Sequence, residues 1–143
     1  METLTSHTTK VLYTAQIHTT GNRENGVSRS SDGNLDIRLA VPGSGRPGTN
    51  PEQLFAAGWS ACFDGAIGIA AGKLRIDLPA DRAIDAEVDL GLNGANFLLQ
   101  ARLNVHLPGL DREVALSLVE AAQGICPYSK AIRGNIDVEY NLI

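Results

Sequence analysis

The chain has 143 residues, 43% of them hydrophobic, which suits one compact domain with a real core and excludes a disordered polymer. A formal charge of −4 with twelve scattered Lys and Arg residues excludes a general nucleic-acid binder, which needs a basic stripe to neutralise phosphates. The two cysteines form no CxxC pair, and His7, His18 and His106 stand in no ligand spacing, so no structural zinc site is expected.

The N-terminal segment METLTSHTTKVLY has no charged stretch followed by an apolar block. A secretory leader is therefore not expected, and the cytoplasm is the default location. Val11, Tyr13, Ala15 and Ile17 alternate with Leu12, Thr14, Gln16 and His18, a period-2 pattern that predicts a strand ended by TTGNRENG. Leu35, Ile37, Leu39 and Val41 predict a second strand. Between the two runs, Asp32-Gly33 is a turn signal, so they are expected to pair as a hairpin with an elaborated loop.

Pro42 to Asn50 is rich in Gly and Pro and reads as a surface loop. A helix then starts with Asn50 as its N-cap, Pro51 in the first position and Glu52 at the positive end of the dipole. It runs to about Lys73. The stretch Leu54 to Ala71 approaches membrane-spanning length. However, Trp59, Ser60, Asp64 and several glycines interrupt it, and many of its apolar residues are alanine. A core helix enclosed by other elements is the expectation, without membrane insertion.

Two strands follow, carried by Ile84, Ala86, Val88 and Leu90 and by Leu99, Ala101, Leu103, Val105 and Leu107. Asn93-Gly94 marks the hairpin turn between them. Asp111 opens a second helix through Ile125, with Val114, Leu118, Ala121, Ala122 and Ile125 on its apolar face. Pro127 should break it. A short turn, Pro127 to Arg133, leads to a last strand with Ile136, Val138, Tyr140 and Leu142. The order β-β-α-β-β-α-β is an α+β layout in a single domain over residues 1–143.

Cys62 sits inside the apolar helix. Burial alone would raise its pKa and keep it inert, so a nucleophilic role requires a cation brought from elsewhere. Arg23, in the glycine-flanked loop Gly21 to Gly26, is one candidate, and a plain exposed loop charge is its simpler reading. Glu52 is explained by its place at a helix start. It lies ten residues from Cys62, about 15 Å along one straight helix, so it can act at the sulfur only through Arg23 or from a partner chain. Cys126 is either a core residue at a helix end or a second thiol able to attack an oxidised Cys62. Tyr128 offers a hydroxyl or simply an amphipathic ring.

The block Thr49-Asn50-Pro51-Glu52-Gln53-Leu54-Phe55-Ala56-Ala57-Gly58-Trp59-Ser60-Ala61-Cys62-Phe63 resembles the first-cysteine block of organic hydroperoxide resistance (Ohr) proteins, within the OsmC-like superfamily. Ile125-Cys126-Pro127-Tyr128-Ser129, followed by Arg133-Gly134-Asn135-Ile136-Asp137-Val138, resembles their second-cysteine block. Lys10 to Ala15 is similar to their first strand. The resemblance covers nearly the whole chain.

It implies an intertwined α+β homodimer with a central buried helix. It also implies a thiol peroxidase acting on fatty-acid and alkyl hydroperoxides. By motif, Cys62 matches the peroxidatic cysteine, Cys126 the resolving cysteine, Glu52 the family glutamate and Arg23 the family arginine. Reduction is expected from lipoylated proteins or dihydrolipoamide, with no bound cofactor and no metal. Phe55, Trp59, Phe63 and Tyr128 are the expected apolar pocket. The family's arginine loop usually reads Thr-Gly-Gly-Arg-Asp-Gly, and here it is one residue longer, so Arg29 stands as a second candidate cation. The remaining alternatives are an OsmC-type sibling with another peroxide or reductant preference, a non-catalytic lipid-binding module, and a cysteine acyl hydrolase, for which no histidine is suitably placed.

Overall fold

The structure, a computed structural model, describes residues 9–143. His7 and most of the segment read above for a leader lie outside the described residues. The chain forms two compact units, one ending at Asn50 and the other comprising Pro51–Ile143.

The first unit is an antiparallel sheet of β1 (Ile17–Thr20), β2 (Val27–Ser30) and β3 (Asp36–Arg38), in that spatial order. It corrects the expected hairpin. The two apolar runs do not pair with each other; β2 lies between them, in register with Ile17 at Ser30 and with Arg38 at Val27. The first strand also begins later than the alternation suggests. Residues 9–16 form no strand, and Val11, Leu12 and Tyr13 are exposed, because alternation makes a strand only where a neighbouring strand takes up its backbone groups. The segment after Val41 is a loop, as its composition predicts. It folds back so that Thr49 bridges Leu39, with Ala40 N–H donating to the Thr49 carbonyl at 2.8 Å.

The second unit contains α1 (Pro51–Leu74), β4 (Ala83–Asn93), β5 (Asn96–His106), α2 (Arg112–Ile125), α3 (Pro127–Ile132) and β6 (Asp137–Leu142). Asn93 faces Asn96 across a two-residue turn at the predicted Asn-Gly, and β4 pairs antiparallel with β5. Strand β6 pairs with β5 in parallel, which requires a long crossover, and α2 and α3 supply it. The expected turn after Cys126 is a short helix, because Pro127 both stops α2 and occupies the first position of α3.

Period 2 in β5 sends Ala101, Leu103 and Val105 into the core and Arg102, Asn104 and His106 outward. Helix α2, capped by Asp111 through its bond from Glu113 N–H at 2.9 Å, adds Ala115, Leu118, Val119 and Ala122. Helix α1 is long and apolar enough to cross a bilayer by length and composition. Its stripe of Trp59, Phe63 and Ile67 is nevertheless fully buried in the core. Ala66, Ala70 and Ala71 are buried with it. Within the single chain, Ala57, Ala61, Gly65 and Ile69 on the opposite side of α1 are exposed.

On the outer face of the hairpin, Arg102 bridges Glu87 at 3.1 Å and Asp89 at 2.9 Å. The Arg102 guanidinium, with Gln100 helping, holds the Asp89 carboxyl down to about 2 from an ordinary 3.8. A carboxylate with a depressed folded pKa stabilises the fold above its ordinary pKa, and that contribution is lost as pH falls through the folded value. Asp89→Asn is therefore expected to flatten the acid loss of stability between pH 3.8 and about 2, read from urea midpoints. An unchanged slope would remove Asp89 from the acid response.

Candidate active site

Helix α1 carries Cys62 about three turns from its start, half-buried. Cys126 ends α2 and begins α3. The residue before a proline is driven out of the helical region, and Cys126 is extended at φ −63° and ψ 118°. That bend turns its fully buried side chain toward α1. The result brings together two sulfurs that are 64 positions apart in the chain. Cys126 Sγ–H donates to Cys62 Sγ at 3.2 Å, and both cysteines are free thiols.

The first turn of α3 serves both sulfurs. Ser129 N–H donates to Cys126 Sγ at 3.5 Å, and Tyr128 N–H favours the ionised form of Cys62. Burial nevertheless pushes the Cys62 thiol above its ordinary value, outweighing the Tyr128 amide, and the neighbouring Cys126 adds to the rise. A reactive thiolate at Cys62 thus requires a positive group brought to it. Within the same unit, Arg82 is committed to Asp64 through two bonds of 2.8 and 3.2 Å.

The aromatic residues divide by exposure. Trp59 and Phe63 are fully buried, packed with Tyr140 at ring separations of 6.2 and 5.4 Å. They belong to the core cluster that also holds Cys126 and against which Cys62 packs. Phe55 is half-buried and Tyr128 is exposed, with ring centroids 6.4 Å apart. Tyr128 lies directly over Gly58, where an added Cβ would stand 3.0 Å from the phenol oxygen. Gly58 therefore sets how closely this ring approaches α1.

Glu52 is half-buried in the first turn of α1, about three turns before Cys62 on the same helix. Arg23 belongs to the first unit, at the exposed tip between β1 and β2. The tip is held by Asn22, whose side-chain oxygen accepts from Glu24 N–H at 2.9 Å and Asn25 N–H at 3.2 Å. Gly26 closes the turn onto the Asn22 carbonyl at 2.7 Å, and an added Cβ there would meet two carbonyl oxygens at 2.5 Å. Arg29, the second candidate cation, is held across the sheet by Asp36 at 3.0 Å. Among the described residues, no three or more His, Cys, Asp and Glu side chains gather as a metal site.

The OsmC-like protein family matches residues 42–141. The chain is 46% identical to the organic hydroperoxide resistance protein of Xanthomonas axonopodis pv. citri, over 93% of this chain and 96% of that one. It is 43% identical to the organic hydroperoxide resistance protein OhrB of Bacillus subtilis, over 92% and 98%. The crystal structure of OhrB matches its fold with a TM-score of 0.87, at 43% identity, over 93% of this chain and all of that one (100%). The chain belongs to the organic hydroperoxide resistance family of OsmC-like proteins.

In this Ohr-family chain two residues outside the expected site, Ser129 and Tyr140, bond within the core next to it. Ser129 is 1% exposed, and its hydroxyl oxygen accepts from the Trp59 indole N–H at 3.0 Å and the Tyr140 phenol at 3.0 Å. Tyr140 was readable in principle. Period 2 in the last strand turns it toward the core, and a buried phenol needs a partner. Ser129 stands in the second-cysteine block, but nothing in the sequence marks its side chain as buried or bonded.

Proposed function

We propose that the chain reduces organic hydroperoxides to alcohols, with Cys62 as nucleophile and Cys126 as resolving thiol. The observation that carries this reading is the 3.2 Å separation of the two sulfurs across α1 and the start of α3. The Cys62 thiolate attacks the terminal peroxide oxygen, the O–O bond breaks, and the departing alkoxide takes a proton to become the alcohol. Cys62 is left as a sulfenic acid. Cys126 attacks that sulfur, a disulfide forms, and water leaves with the Cys126 proton. An external dithiol of the lipoyl type then restores both thiols by exchange and is itself oxidised.

In this reading Arg23 supplies the charge that ionises Cys62 and orients the peroxide with its planar donors. Glu52 positions the guanidinium by a charge-assisted pair. Arg23 is preferred to Arg29 because it stands in the glycine-flanked loop that resembles the family's arginine loop. Phe55 and Tyr128 border the alkyl group, over the buried Trp59 and Phe63. The reading extends to a homodimer, supported by the exposed apolar side chains of Val11, Leu12, Leu92 and Phe97. The test is steady-state turnover of a long-chain alkyl hydroperoxide with dihydrolipoamide, glutathione or thioredoxin as reductant. Many turnovers with dihydrolipoamide and few with the others are expected. Equal support from glutathione would remove the lipoyl assignment, and no turnover with any of the three would remove the peroxidase.

A further inference from the structure

Cys126 reaches Cys62 from the junction of α2 and α3, and α3 has six residues. A helix this short does not hold its own position, so tertiary contacts must set where its first turn lies. A buried polar contact from α3 to α1 is made at Ser129. It stands three residues after Cys126, and Trp59 stands three residues before Cys62, so each lies one helical turn from a sulfur. The Trp59 indole N–H donates to Ser129 Oγ at 3.0 Å, joining the helix of one cysteine directly to the helix of the other. The Tyr140 phenol donates to the same oxygen at 3.0 Å and ties it to β6. The Ser129 backbone N–H meets Cys126 Sγ. One buried serine thus links α1, β6 and the second sulfur.

We propose that Ser129 is a positioning residue for disulfide closure, acting through Trp59 and Tyr140 to hold Cys126 against Cys62. The inference rests on the peroxidase reading and adds to it the device that favours resolution over further oxidation. Once Cys62 is a sulfenic acid, two reactions compete. Attack by Cys126 forms the S–S bond and releases water. Attack on a second hydroperoxide converts the sulfenic acid to a sulfinic acid and releases a second alcohol. The first depends on where Cys126 sits; the second does not. Loosening α3 therefore slows closure while leaving the competing reaction open.

The experiment mixes the reduced protein with tert-butyl hydroperoxide and quantifies sulfenic acid by trapping, and disulfide and sulfinic acid by mass spectrometry. Ser129→Ala is expected to slow closure about tenfold or more relative to sulfenic acid formation, with a matching rise in sulfinic acid, since a small misplacement of a reacting group is costly. Tyr140→Phe, which removes one hydroxyl and keeps the ring stacked on Phe63, is expected to act in the same direction and serves if Ser129→Ala does not fold. Ser129→Ala combined with Trp59→Phe should be little slower than the slower single variant, because both remove the same bond. Closure within about twofold of the unaltered protein in the folded single variants, or additive losses in the double variant, overturns the positioning role alone. An unaltered protein that forms no Cys62–Cys126 disulfide overturns the peroxidase reading and this role with it.

Discussion

Cys62→Ser is expected to lower hydroperoxide turnover to the uncatalysed background. A serine hydroxyl does not ionise in the neutral range, and no other sulfur is placed to replace Cys62. Cys126 is fully buried and stands behind Cys62 rather than in the open. Cys126→Ser has a different expected outcome. The first oxidation proceeds, about one peroxide is consumed per site, and the reaction then stalls or drifts to sulfinic acid. The contrast separates the two roles. Normal turnover in Cys62→Ser would end the assignment of the nucleophile. Sustained turnover of Cys126→Ser with a dithiol would show that resolution bypasses Cys126.

Arg23→Ala is the second large effect, and its direction follows from the electrostatics of Cys62. Burial pushes that thiol upward, and the Tyr128 amide only partly opposes it. An opposite charge at contact distance shifts a pKa by about 1 to 3 units toward the ionised form, each unit being about 1.4 kcal/mol. Losing the guanidinium is therefore expected to cut the thiolate fraction, and the rate of peroxide attack at neutral pH, by about 10- to 1,000-fold. The pH profile gives the sign. Below its pKa a thiol gains about tenfold in thiolate for each pH unit. The Arg23→Ala rate should therefore climb steeply through neutral and alkaline pH, where the unaltered protein is flatter. An unchanged rate at neutral pH would assign the cation's role elsewhere, with Arg29 next in line despite its bond to Asp36.

The second unit was largely legible. Pro51 after Asn50 set the start of α1, and the Asn93-Gly94 turn set the β4–β5 register, because both signals act through the local backbone. The first unit was less so. Strand β2 is Val-Ser-Arg-Ser, with a single apolar residue, and it is held by ladders on both sides rather than by an apolar face. The opposite error occurred at Val11 to Gln16, where clean alternation has no strand at all. Pro127 was read as a stop, yet the same fixed φ that ends α2 starts α3.

The site divides in the same way. The two cysteine blocks were recognisable as sequence, while the spacing of 64 positions says nothing about distance. Bringing them together depends on the bend at Cys126 and the grip on Ser129, which arise only when α1, α3 and β6 are assembled. Trp59 shows the difference most clearly. Its aromatic character suggested a pocket wall. Its full burial and its bond to Ser129 make it a fastener between two helices.

The most direct measurement is peptide mapping of the reduced protein after a single equivalent of an alkyl hydroperoxide. The account predicts that both thiols of each chain disappear together and that one cross-link joins the peptide holding Cys62 to the peptide holding Cys126 of the same chain. Two thiols that still titrate after the peroxide has been added, or a link formed only between chains, would contradict it.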